Sequence, residues 1–168
     1  MKRTIRRRRL EAKTDYTSRL ALIKSGMPRL VVRRTNRYIV AQVIKTDLAQ
    51  DSIVVGVISR DLINSGWPEN KKGSLKSLPA SYLTGYLLGK CAKEKKILEA
   101  VFDMGMHRNI KKSRIYAVLK GFVDAGVKVP HDKEILPDEE KLVGNQGNRE
   151  IFTSVRKRLE NGRERNKE

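Results

Sequence analysis

Cysteine occurs once in this chain of 168 residues, at Cys91. No internal disulfide can form, which fits a reducing, cytosolic setting. Histidine is nearly as scarce. His107 and His131 fall in separate loops, and neither has metal-ligand spacing with Cys91, so no metal centre is expected. Aromatic residues make up only 5% of the chain, which argues against a protein that grips single strands mainly by stacking bases. No run approaches the roughly 18 consecutive apolar residues of a membrane span. The N-terminus carries no apolar signal core, and residues 1–9 have no apolar face for lying on a lipid surface. A membrane partner is therefore not expected. Acidic residues are also sparse, with 19 Asp and Glu against 37 Lys and Arg, a formal net charge of +18.

That excess is concentrated. Lys2, Arg3, Arg6, Arg7, Arg8 and Arg9 give six cations in the first nine residues, with no acid among them. Residues 1–34 hold 12 cations and 2 acids, more than half of the whole net charge. Each phosphate neutralised by Lys or Arg releases counterions, so a dense arginine arm has a natural partner in a polyphosphate backbone. Arginine suits that partner because its planar fork takes phosphate oxygens two at a time.

The length and a 39% hydrophobic fraction allow one globular body with tails. The pattern divides into a basic N-terminal arm over 1–29, an α/β body over 30–126 and an extension over 127–168. Residues 15–25 read as a short helix with Tyr16, Leu20 and Ile23 on one face. Leu30–Arg34, Tyr38–Ile44 and Ser52–Ile58 are β-branched runs forming an antiparallel meander, with Thr35-Asn36-Arg37 as its first turn. Residues 59–76 read as a long polar loop. A helix is expected from Ser77 to Lys96, a fourth strand over Ile97–Phe102, and a second helix whose Ile115, Val118, Leu119, Phe122 and Val123 share a face. After an irregular segment, Asn148–Leu159 reads as a last amphipathic helix. The expected fold class is mixed α/β, a single mixed sheet packed by helices.

Three basic clusters beyond the arm are candidate phosphate contacts. His107, Arg108, Lys111, Lys112 and Arg114 gather at a loop and helix start, where backbone N–H groups favour an anion. Arg33, Arg34, Asn36 and Arg37 surround the hairpin turn, and Lys71 and Lys72 form a smaller pair. Catalytic signals are weak. Cys91 falls on an apolar stripe and reads as a core thiol. Gly85–Lys90 has one residue too few between its glycines for a phosphate loop, and Cys91 stands where Ser or Thr would bind magnesium. Gly85 and Gly89 are expected to let their helix approach the sheet. Asp61, Glu99 and Asp103 near strand ends leave open a metal-dependent ribonuclease. A non-specific DNA-compacting protein is the other alternative. Neither a cofactor nor a small-molecule substrate is implied.

Several stretches resemble an archaeal-type large-subunit ribosomal protein family, the L-eighteen family, which binds 5S ribosomal RNA. They are Arg6–Tyr16, Arg19-Leu20, Lys24–Asn36, Ala41-Gln42-Val43, Phe102–Arg108, Ala117–Gly121, Asp124–Gly126 and Pro130-His131, in the expected order. The resemblance implies a non-catalytic, cytoplasmic ribosomal protein that seats 5S RNA on the large ribosomal RNA in the central protuberance, beside neighbouring large-subunit proteins. It implies RNA contacts at Arg6–Arg9, Lys13, Tyr16, Arg19, Arg33, Arg34, Asn36, Arg37, His107, Arg108, Lys111, Lys112 and Arg114. The loop after His107 departs from relatives that carry a glycine before the helix.

Overall fold

A computed structural model describes residues 4–47, 50–144 and 146–161. Arg3 and the tail after Gly162 therefore lie outside the described residues. The arm forms one helical turn, α1 (Arg7–Leu10), then α2 (Tyr16–Lys24), whose start is capped by the Asp15 side chain accepting from the Thr17 N–H. Strands β1 (Arg29–Arg34), β2 (Ile39–Asp47) and β3 (Gln50–Ile58) form the expected antiparallel meander. Helix α3 (Leu78–Glu94) follows, then β4 (Val101–Asp103), α4 (Arg114–Asp124), α5 (Glu139–Val143) and α6 (Gln146–Asn161).

The sheet order is β3-β2-β1-β4, with β4 parallel to β1, so the mixed α/β expectation is borne out. Period-two alternation decides what each face carries. From β1, Leu30 and Val32 join a core with Ile39, Ala41, Val43, Leu88, Val118, Leu119 and Phe122, between the sheet and helices α3 and α4. Arg29, Val31 and Arg33 alternate onto the opposite face.

Several local expectations need correction. Residues 59–76 are not a polar loop. They contain two 3-10 segments, Ser59–Ile63 and Glu69–Ser74, and Leu62, Trp67 and Leu75 are buried in a second core with Tyr82, Tyr86, Leu142, Phe152, Val155 and Leu159. The fourth strand is shorter than expected, because Ile97 N–H still bonds Ala92 O at the end of α3 and only Val101–Asp103 pair with β1. Leu20 is exposed rather than part of an apolar face. Cys91 is only half-buried, its thiol pushed up by burial and then by the nearby Glu94 charge. The irregular extension contains a 3-10 turn at Lys133–Ile135 and the short α5, and its last helix starts earlier, at Gln146.

The glycines of α3 serve helix–helix packing rather than approach to the sheet. A Cβ on Gly85 would stand 2.0 Å from the Val118 carbonyl oxygen, and one on Gly89 2.5 Å from the Ala125 Cβ. From the other side, Gly121 of α4 would meet the Tyr82 carbonyl at 2.1 Å. Backbone atoms cannot swing aside as a side chain does, so these contacts set how near α3 and α4 lie. Lys90 further anchors α6 to α3 by donating to the carbonyls of Leu159 and Glu160. Gly85→Ala or Gly121→Ala should lower stability by roughly 1–3 kcal/mol or more, as overpacking does. Gly73→Ala, with open space around it, should stay within about 0.5 kcal/mol of the parent in urea unfolding.

Candidate nucleic-acid interface

The basic residues divide by what they already hold. Arg29, passed over in the sequence, is 2% exposed, and its guanidinium gathers three strands around it. It donates to Asp103 Oδ2 of β4 at 2.9 Å, to Asp51 Oδ1 of β3 at 2.7 Å and to Thr46 Oγ1 of β2 at 3.1 Å. Arg33, four residues along β1 and on the same face, donates to Asp103 Oδ1 at 3.0 Å and to the carbonyls of Val32 and Asp103. Arg19 of α2 reaches Asp51 Oδ2 at 2.7 Å, which ties the arm to the sheet. Partial burial pushes the Asp51 carboxyl up, but hydrogen bonds from Thr46, Arg19 and Arg29, with the Arg29 charge, hold it below the ordinary carboxylate value.

The arm is folded on itself and exposed. The Arg6 guanidinium lies 4.7 Å from the Tyr16 ring centre, a cation–π contact. Arg7 approaches Glu11 at 3.7 Å, Arg8 donates to Thr14 Oγ1 at 3.0 Å, Arg9 pairs with Asp15 at 3.2 Å and Lys13 with Glu11 at 2.8 Å. Exposed pairs of this kind contribute about 0–1 kcal/mol, so phosphate can displace them at little cost. Arg9 also reaches Met106 Sδ at 3.9 Å, in the loop between β4 and α4.

That loop is fixed to the end of β1. The Arg34 backbone N–H donates to His107 Nε2 at 3.1 Å, which requires an unprotonated Nε2. Burial, then the charges of Arg33 and Arg34, hold His107 below its ordinary pKa. Lys111 and Lys112 are engaged differently. The locally acidic segment after Pro130 folds back over them, with Glu134 at 3.4 Å from Lys111 and Asp138 at 2.9 Å from Lys112. Lys112 N–H also donates to Ile135 O, and Lys120 Nζ to Pro137 O. Lys72 pairs loosely with Glu69 at 3.5 Å, while the Lys71 carbonyl accepts from Trp67 Nε1 and Ser74 Oγ. That pair of residues sits at the border of the second core, beside Trp67 and Leu75.

Between the β1–β2 turn and the start of α4 lies an open cleft of about 380 Å³, lined by Arg34, Thr35, Asn36, Lys76 and Arg114. Lys76 was not among the sequence candidates. It falls just before the Ser77 cap of α3, and only the fold brings it opposite the hairpin. Arg37 and Arg108 are exposed beside these elements.

The three carboxylates of the nuclease alternative do not converge. Asp61 accepts from Ile58 N–H, Glu99 lies 3.8 Å from Lys128, and Asp103 is held by two guanidiniums. Among the described residues, no three His, Cys, Asp or Glu side chains group as metal ligands, and no helix is long and apolar enough to cross a membrane.

Residues 2–98 and 89–132 match the family described as ribosomal large subunit proteins 60S L5 and 50S L18. The chain belongs to this ribosomal family. It is similar to the large ribosomal subunit protein uL18 of Korarchaeum cryptofilum, 51% identical over 138 residues, covering 82% of this chain and 69% of that protein. The uL18 proteins of Aeropyrum pernix and Caldivirga maquilingensis are 46% and 48% identical, over 81% and 82% of this chain and 62% and 65% of theirs. The chain thus spans about two thirds of the length of these curated relatives. Membership of the family bears out the resemblance read from the sequence. It places the chain among archaeal-type, non-enzymatic ribosomal proteins of translation, which work on the cytoplasmic ribosome.

Within this family member, His107 has a structural task whatever else it touches. A base with a lowered folded pKa contributes stability that is present above the unfolded value near 6.5 and is lost as pH falls through the folded value. An NMR titration of the His107 ring should therefore give a midpoint below 6.5, with Arg34 amide exchange losing protection as the ring protonates. A midpoint above that value would contradict the acceptor role.

Proposed function

We propose that this chain binds 5S ribosomal RNA and helps attach it to the large-subunit ribosomal RNA in the central protuberance. Neighbouring large-subunit proteins would meet the extension over 127–168, while the arm over 1–29 and the body over 30–126 face RNA. One observation carries the reading: three basic segments far apart in sequence meet at one place. The arm touches the β4–α4 loop through Arg9 and Met106, the β1 end joins the same loop through Arg34 and His107, and Arg34 and Arg114 line one cleft. The RNA contacts assigned to this surface are Arg6–Arg9, Lys13, Tyr16, Arg34, Asn36, Arg37, Arg108 and Arg114. Arg19 and Arg33 contribute mainly by holding the arm and the sheet edge, since their forks are spent on Asp51 and Asp103. Folded RNA is recognised largely by backbone shape and hydroxyls, which suits a surface rich in guanidinium and poor in aromatics.

Binding to 5S RNA, transfer RNA and duplex DNA across a salt series tests this reading. Preference for 5S RNA should survive rising salt, because a shaped surface keeps contacts that counterion release does not supply. Equal affinities that collapse together would leave a general polyanion binder, the DNA-compacting alternative. Replacing Arg6–Arg9 together with alanine should flatten the salt slope by roughly one unit per lost phosphate contact, with preference for 5S RNA unchanged.

A further inference from the structure

We propose that the cleft between the β1–β2 turn and the start of α4 seats one backbone phosphate of the bound RNA, held by Arg34, Lys76 and Arg114. The proposal rests on the RNA-binding reading and adds Lys76, which no resemblance marked.

Many of the basic side chains already have an internal counterion. Arg7, Arg9 and Lys13 each have a carboxylate, as do Arg19, Arg29, Arg33, Lys111 and Lys112. Among the described residues, Arg34, Lys76 and Arg114 make no ion pair, yet they line one concavity that holds no acid. Three like charges facing a shared cleft repel one another, and an external anion relieves that repulsion. The cleft is open to solvent and its volume is that of a small ligand site.

Its walls are fixed in advance. Thr35 Oγ1 donates to Tyr38 O at 2.8 Å and accepts from Tyr38 N–H at 2.9 Å, so the turn is closed and the hydroxyl is used. Lys76 Nζ donates to Asn36 O at 3.0 Å, which holds the ammonium across the cleft with two further N–H donors available. Arg114 is the first residue of α4, an 11-residue helix whose Ser113 cap makes no side-chain bond to the first turn. The helix dipole therefore adds to the positive potential there. An RNA phosphate is the fitting occupant, because guanidinium forks and an ammonium are oriented for oxygens rather than for a base edge.

The test uses the full chain with 5S RNA, reading the slope of log affinity against log salt. Lys76→Gln and Arg114→Gln should each reduce the slope by roughly one unit or a large part of it, and weaken binding at low salt. Lys157→Gln, on the exposed face of α6, should leave both unchanged. If the parent prefers 5S RNA but both cleft variants keep its slope and affinity, the phosphate seat is wrong and the RNA reading stands. If the parent shows no preference for 5S RNA, the ribosomal-RNA reading falls, while the slopes still report on the cleft. A change shared equally by Lys157→Gln would also overturn the proposal, since the effect would then be one of net charge alone.

Discussion

The buried Arg29 guanidinium is the contact on which the rest of this architecture depends. A charge in that position is tolerable only when carboxylates and a hydroxyl meet it with good geometry. Asp103, Asp51 and Thr46 do so from three strands. Removing one partner of such a buried pair costs about 3–5 kcal/mol, because the other is left uncompensated. The short β4 gains its place beside β1 through this pairing as well as through three registered residues. Asp103 then holds Arg33 and accepts from Gly105 N–H at 2.9 Å, which starts the loop that carries His107. Asp51 passes the restraint outward to Arg19 and the arm. One ionic knot thus positions the sheet edge, the β4–α4 loop and the N-terminal segment relative to one another.

A chain with a net charge of +18 has more cations than acids can meet, and the structure assigns its acids unevenly. Some are spent where an unpaired charge would be costly, around Arg29. Others cover Lys111 and Lys112 from the extension. The arm receives only weak, exposed pairs, and the cleft at the hairpin receives none. The result is a gradient from committed to uncommitted cations, running from the sheet edge towards the turn. An RNA backbone supplies the counterions that the protein itself withholds there.

The antiparallel meander was legible because β-branched runs read as strands, and alternation along β1 sends Leu30 and Val32 to one face and Arg29 and Val31 to the other, although all four are buried. Helix α4 was legible from its apolar spacing. The second core was not, since Leu62, Trp67 and Leu75 are scattered among polar residues and acquire an apolar environment only from α3 and α6. Arg29 looked like one more basic residue, and nothing local distinguishes a buried guanidinium from an exposed one. The same blindness hid Lys76 and grouped Arg33 with Arg34. Their different fates follow from strand alternation plus the position of Asp103, seventy residues away in sequence.

Arg33 and Arg34 are therefore the sharpest comparison the molecule offers. Each would be replaced by glutamine, with urea stability and the salt slope for 5S RNA measured on both variants. Arg33→Gln should lose stability, by about 1–3 kcal/mol for a broken charged hydrogen-bond set, and keep the parental slope. Arg34→Gln should keep its stability within about 0.5 kcal/mol and lose roughly one unit of slope. Equal losses of slope in the two variants, with no difference in stability, would contradict the division of cations into structural and RNA-facing sets.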